Sequence, residues 1–291
     1  MEQRSFGGTG LTVSVLGLGA GQIGRDDVTE AEVAALLRGA VDVGITLIDT
    51  ARGYGSSEER IGRHLGKHRD RFVLSSKGGY DMPGQADWSP GSVTASIERS
   101  LRLTRSERID IFHLHSCPEE VLRRGDLQDA LDRAIVAGKI GVPAYSGDNR
   151  HLEYAAGSGR FGSIEASINV VDQWNLRHVV PSWPGLGVIA KRPLANAPWR
   201  FEKRPVGDYA ESYWERLRAL SLDRGSLDWD ELALRFTAYA PGVHTAIVGT
   251  AKLANLKRNV AAVSRGPLPA TVLEQITLAW AREGSQWQSL T

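Results

Sequence analysis

Ile109-Asp110-Ile111-Phe112-His113-Leu114 is an apolar run of strand length that ends on a polar residue, His115. A segment with helical periodicity follows over 119–136. The same succession recurs along the chain. Runs at 15–18, 45–48, 72–75, 141–145, 163–168, 187–190 and 244–248 precede helical segments at 29–43, 57–66, 91–104, 149–157, a weaker 174–181, a pair at 211–222 and 228–239, and 252–264. A last helix fits 269–283. Strands alternating with helices predict βαβ units and a parallel sheet. Eight such units in 291 residues match the size of a (β/α)8 TIM barrel. Strands at 4–6 and 11–13 about Gly7-Gly8-Thr9-Gly10 predict an N-terminal β-hairpin. An open doubly wound sheet is the competing architecture. Gly17-Leu18-Gly19-Ala20-Gly21-Gln22 begins like its glycine fingerprint but carries Gln22 at the third glycine position. No linker divides the chain, so residues 1–291 are expected to form one domain.

Composition narrows the function. Thirty-five Lys and Arg against 34 Asp and Glu leave a formal net charge of +1, which argues against a protein that coats nucleic acid. No apolar run reaches the roughly 18 residues that span a bilayer. Met1-Glu2-Gln3-Arg4-Ser5 offers no apolar signal core, so the expected location is the cytoplasm. The single cysteine, Cys117, excludes an internal disulfide and a cysteine zinc site, and no metal site is expected.

In a barrel the catalytic groups sit where strands end at the C-terminal face. Asp49 ends one run, Lys77 another and His115 a third, with Ser146 and Asn169 ending two more. Taken singly, each has a plain structural reading: Asp49 as a cap, Lys77 as a solvated amine, His115 as a core histidine. His113, two residues back on the same strand face, serves as the comparison for interior packing. The argument rests on their coincidence at equivalent strand ends. Tyr54 lies five residues after Asp49, between Gly53 and Gly55, which let the chain turn back to the barrel mouth. A Lys77 ammonium beside it is expected to lower the phenol's ordinary pKa of about 10. Asp49 would keep Lys77 charged and oriented, and His115 would donate to a substrate oxygen or relay a proton. Such a site protonates an oxygen while hydride reaches the adjoining carbon, and the hydride requires a cofactor.

These segments resemble the aldo-keto reductases, especially the bacterial ones. The likeness rests on Leu47-Ile48-Asp49-Thr50-Ala51 through Tyr54-Gly55, Leu74-Ser75-Ser76-Lys77-Gly78 and Ile109 to Ser116. Gly138-Lys139-Ile140 leading to Tyr145-Ser146, Gly187 to Leu194 and Ala246-Ile247-Val248-Gly249-Thr250 through Asn259 extend it. The resemblance implies a barrel whose bottom is closed by the hairpin, with NADPH or NADH bound across its C-terminal face. It implies Tyr54 as general acid, assisted by Asp49, Lys77 and His115. Gly19, Ala20 and Asp49 would lie near the nicotinamide, and Ser146, Gly147 and Glu165 at the carboxamide positions. Lys191, Arg192, Pro193 and Leu194 would follow the pyrophosphate. Gly249, Thr250, Lys252, Asn255, Arg258 and Asn259 would surround the adenosine end.

Several residues depart from the family pattern. Glu165 stands where Gln is common, Gly147 where Asn is common, and Lys191 where an aromatic ring commonly stacks. Asn255 and Ala251 stand where arginines often clamp a 2′-phosphate, leaving Lys252 and Arg258. NADP(H) is favoured by family habit, and NAD(H) is the alternative. Loops carrying Tyr80, Met82, Trp88, Trp174 and Trp199 would form an aromatic pocket for a small carbonyl or alcohol substrate. Cys117 is read as a small packing residue. Two other functions share the pattern: a cofactor-sensing regulatory protein on the same fold, and a barrel lyase using Lys77 as an amine nucleophile. No segment reads as a dedicated interface helix, so a monomer or weak homo-oligomer is expected.

Overall fold

A computed structural model describes residues 1–291. The hairpin pairs β1 (Gln3–Ser5) with β2 (Thr12–Ser14), one residue away from the expected spans at each strand. Eight parallel strands then close into a barrel: β3 (Leu16–Gly19), β4 (Leu47–Asp49), β5 (Val73–Gly78), β6 (Ile109–His115), β7 (Ile140–Ser146), β8 (Ser163–Ser167), β9 (Gly187–Lys191) and β10 (Thr245–Gly249). They pair in chain order, and β10 returns to β3, so the open sheet is excluded.

Alternate residues of one strand serve two different cores, as the period of two requires. Leu47, Ile111, Ile189 and Ile247 point into the barrel and pack with Phe6 and Val13 of the hairpin. Their neighbours Ile48, Phe112, Val188 and Val248 point outward into the larger apolar layer between strands and helices. The hairpin therefore plugs the bottom with the buried Phe6 ring, and the barrel axis turns from apolar to charged toward its C-terminal face.

Most helices match their expected spans closely, Ser57–Leu65 and Asn149–Gly157 without any capping side chain. Thr29 and Glu32 form a reciprocal capping box that starts the helix Glu30–Asp42. Three expectations fail. The 119–136 segment breaks into Glu119–Leu122 and Asp126–Val136 because Gly125 takes a left-handed conformation with φ of 82°. The 174–181 segment stops at His178, and Pro181 accompanies a separate 3-10 turn over Val180–Ser182. The last helix ends at Ala279 and widens into a π turn over Trp280–Gly284. No helix is long and apolar enough to cross a membrane.

Candidate active site

Strand register assembles the charged end of the barrel. Gly19 pairs with Asp49, Asp49 with Ser75, Lys77 with His113, His115 with Ser146, and Ser146 with Glu165. All of these side chains except His115 are buried or belong to glycine. Lys77 Nζ forms a short ion pair with Asp49 Oδ2, donates to Thr50 O at 3.1 Å, and lies 3.3 Å from Glu165 Oε2. Ser75 Oγ donates to Asp49 Oδ1 at 2.8 Å and lies 3.1 Å from His113 Nε2, which can only donate to it. His113 is thus tied to the charge cluster and is no mere interior packer. Ser75 was not singled out in the sequence; its register opposite Asp49 on the inward face was the available signal.

Tyr54 faces this cluster. Lys77 Nζ sits 5.2 Å from the centre of its ring, and the His115 ring lies edge-on at 6.1 Å. The loop that carries Tyr54 is fixed by close backbone approach. Gly55 has φ of +55°, and a Cβ there would meet the Gly24 carbonyl oxygen. Thr50, Ser57 and the Ala20 carbonyl are linked by hydroxyl hydrogen bonds of 2.8 Å, pinning the start of the loop to the end of β3.

The electrostatics correct one expectation. Lys77 does pull the Tyr54 pKa down, but burial and the negative charges of Asp49 and Glu165 outweigh it, and the phenol is raised above its ordinary value. Burial would discharge Lys77, yet Asp49 and Glu165 hold it firmly as an ammonium. Two buried carboxylates share that one cation. Burial and the charge of Glu165 raise Asp49 despite its tight contact with Lys77. Burial also acts to raise Glu165, but Lys77, His113 and Lys191 prevail and lower it. Burial, reinforced by Lys77, lowers the His115 imidazole to about 3, so it is neutral near pH 7. Asp49, His113 and Glu165 bring ligand atoms within 4.8 Å of one another, the spacing of a metal site, but the Lys77 ammonium already contacts both carboxylates.

Around this centre the rim residues differ in what they face. Ser146 Oγ donates to Glu165 Oε1 at 3.4 Å, while Glu165 Oε2 is buried and accepts no hydrogen bond. Lys191 pairs with Asp148 at 3.1 Å. Gly147 is required by packing: a Cβ would lie 2.6 Å from the Tyr145 ring, whose hydroxyl is anchored on Cys117 O. Arg192 turns away from open solvent and donates to Leu290 O at 2.7 Å, strapping the C-terminal segment. Pro193 is buried and Leu194 packs on the main core. Beyond β10, Gly249 is covered by the Gln22 amide, and Asn255 links the Thr250 hydroxyl to Arg258 at 3.5 and 2.8 Å. Lys252 precedes the helix Leu253–Val263, which has no capping side chain and no acidic residue in its first turn, so its free N–H groups favour an anion. Arg258 and Asn259 also line a cavity of about 480 Å³ with Trp199 and Trp229, whose rings stack at 5.8 Å.

A sequence profile of the Aldo/keto reductase family matches residues 15–281. The chain belongs to the aldo-keto reductase family. It is 35% identical over 161 residues to the L-glyceraldehyde 3-phosphate reductase of Escherichia coli (strain K12), a match covering 50% of this chain and 46% of that protein. The matched stretch thus spans less than half the length of that relative. It is 27% identical over 306 residues to the L-galactose dehydrogenase of Arabidopsis thaliana, covering 96% of this chain and 92% of that one. The holo form of aldo-keto reductase AKR11C1 from Bacillus halodurans superposes with a TM-score of 0.84 over 96% of both chains, at 23% identity, which shows the shared fold. Membership supports oxidoreduction of carbonyl and alcohol groups, and aldo-keto reductases generally use nicotinamide cofactors.

The aromatic residues expected around a substrate of this aldo-keto reductase separate into three places. Tyr80 and Trp88 pack together at 5.5 Å beside His115. Trp174 instead stacks on His178 at 4.9 Å, and Trp199 stands at the Arg258 cavity. Cys117 is buried and its thiol is raised to about 12 by burial, as an inert packing residue should be.

Proposed function

We propose that this aldo-keto reductase interconverts small carbonyl compounds and alcohols with a nicotinamide cofactor, and that Tyr54 is the proton donor and acceptor. The observation that carries the reading is the buried Lys77 ammonium, fixed by Asp49 and set 5.2 Å from the Tyr54 ring centre. Tyr54, kept protonated by its surroundings, supplies the proton to an oxygen that gains charge. Lys77 stabilises the phenolate left behind, Asp49 orients Lys77, and the neutral His115 donates a hydrogen bond to the same oxygen. The cofactor, when bound, supplies or accepts the hydride.

The residues that would hold that group are Gly19 and Ala20 beside Asp49, Ser146 with Glu165 at the carboxamide, Lys191 at the start of the pyrophosphate stretch, and Gly249 to Asn259 at the adenosine end, whereas the side chains of Arg192, Pro193 and Leu194 are engaged with Leu290 and the core. The fit is supported by Glu165 Oε2, which accepts no hydrogen bond although the Lys77 ammonium lies 3.3 Å away, and so remains an acceptor for a carboxamide N–H. The exposed Lys252 and Arg258 suit a 2′-phosphate, so NADP(H) is preferred and NAD(H) is the alternative. The two relatives described above are named for L-glyceraldehyde 3-phosphate and L-galactose, and sugars or sugar-like aldehydes are the proposed substrate class. An amine nucleophile must lose its proton, and Lys77 is held charged, which counts against the lyase.

Tyr54→Phe keeps the ring and removes the acid. Its kcat for aldehyde or ketone reduction should fall by roughly 10²- to 10⁴-fold, while tryptophan quenching by NADPH still saturates. Undiminished turnover would sink the assignment. Parallel NADH titration measures selectivity, and Lys252→Ala with Arg258→Ala should erase a preference for NADPH.

A further inference from the structure

Tyr80 was expected only to line the substrate pocket, but its hydroxyl does something more specific. Tyr80 Oη lies 3.2 Å from His115 Nδ1, with ring centres 5.7 Å apart. We propose that Tyr80 is a positioning residue for His115: the phenol donates to Nδ1 and thereby keeps the imidazole's single proton on Nε2, the nitrogen that donates to a substrate oxygen. This rests on the function proposed above.

The direction of the bond follows from elementary acidity. A phenol O–H is a far stronger acid than an imidazole N–H, and a ring nitrogen is a far stronger base than a phenol oxygen. The O–H to nitrogen arrangement is therefore preferred over its reverse. Both partners are in the right charge state, since burial keeps the phenol protonated and the imidazole neutral. A neutral imidazole has one proton to place, and occupying Nδ1 as an acceptor places it on Nε2.

The phenol is held where this requires. Trp88 packs on its ring, and the Trp88 amide donates to Gly79 O at 2.8 Å while Arg124 donates to Trp88 O at 2.6 Å. Arg52, two residues before Tyr54, ion-pairs with Asp81, so the loop bearing Tyr80 is tied to the loop bearing the proposed acid. Gly53 leaves the hydroxyl its room: a Cβ there would come within 3.0 Å of Tyr80 Oη. Proton donor and hydrogen-bond donor are thus aligned by one pair of linked loops.

The test is ¹⁵N NMR of the histidine-labelled full chain, with the His115 signal assigned by its loss in His115→Asn. Wild type should show Nε2–H as the dominant tautomer. Tyr80→Phe, which keeps the ring on Trp88, should shift His115 toward Nδ1–H. It should also lower kcat by roughly tenfold or more, with cofactor affinity and KM nearly unchanged. A wild-type proton on Nδ1 overturns the proposal even if the variant does not fold. So does an unchanged tautomer or an unchanged kcat in Tyr80→Phe. Absence of carbonyl turnover in wild type would instead overturn the function proposed above, and the tautomer measurement reads independently of it.

Discussion

Glu165 and Asp49 face one ammonium from two strands, and this sets the Tyr54 proton. The negative charge of Glu165 opposes the effect of Lys77 on the phenol. Glu165→Gln removes that charge without changing shape. Reduction needs the protonated phenol, so its rate falls as pH rises through the Tyr54 pKa. Removing a nearby negative charge makes the phenolate easier to form and lowers that pKa. The alkaline limb of kcat/KM for reduction should therefore move to lower pH in Glu165→Gln. An unmoved limb would mean that Glu165 carries no charge at the pH of turnover. The carboxylate was visible in the sequence as a departure from Gln. Its contact with Lys77 was not, because β6 and β7 separate β8 from β5 in the sheet and only closure of the barrel brings the two side chains together across its interior.

Elements were legible where local chemistry fixes them and obscure where it does not. Thr29 with Glu32 and the alternating apolar runs marked their helix and strands, because capping and period are short-range properties. The break at Gly125 lay inside an otherwise amphipathic segment, and only the backbone conformation of one glycine separates the two helices. The Tyr54 loop shows the same dependence on a single residue. Gly55 and Gly159 both take positive φ, at 55° and 70°, but only Gly55 lies against another backbone, that of Gly24. Gly159 has open space around it. Alanine at either position should cost stability by about 1–3 kcal/mol through backbone strain. Gly55→Ala should in addition displace Tyr54 and lower kcat by roughly tenfold or more, while Gly159→Ala keeps full turnover. Denaturation curves and steady-state rates on the two variants separate strain from catalysis, and equal rates would detach the Gly24 contact from the site.

Across the whole molecule, the barrel keeps its stabilising end and its proposed reacting end apart. Phe6 is fully buried at the bottom, packed with Val13, Leu47, Ile111, Ile189 and Ile247, whereas Asp49, Lys77 and His115 lie where the strands end. Barrels generally divide labour in this way. The hairpin contributes through one aromatic side chain that no other element supplies. Phe6→Ala would leave a cavity walled by rigid strands, which cannot close without bending the barrel, so the cost should not fall below the middle of the usual 3–5 kcal/mol range, about 4 kcal/mol. The strands that place Asp49 and Lys77 are also fixed by their mutual hydrogen bonds and by the outer apolar layer, neither of which involves Phe6. The denaturation midpoint should therefore fall sharply while kcat at 25 °C stays within a factor of two or so of wild type. A kcat that falls in step with stability would show that the plug tunes the charged end through the barrel interior. A midpoint that hardly moves would show that the hairpin is a passive cover, and that the eight strands hold their closure without it.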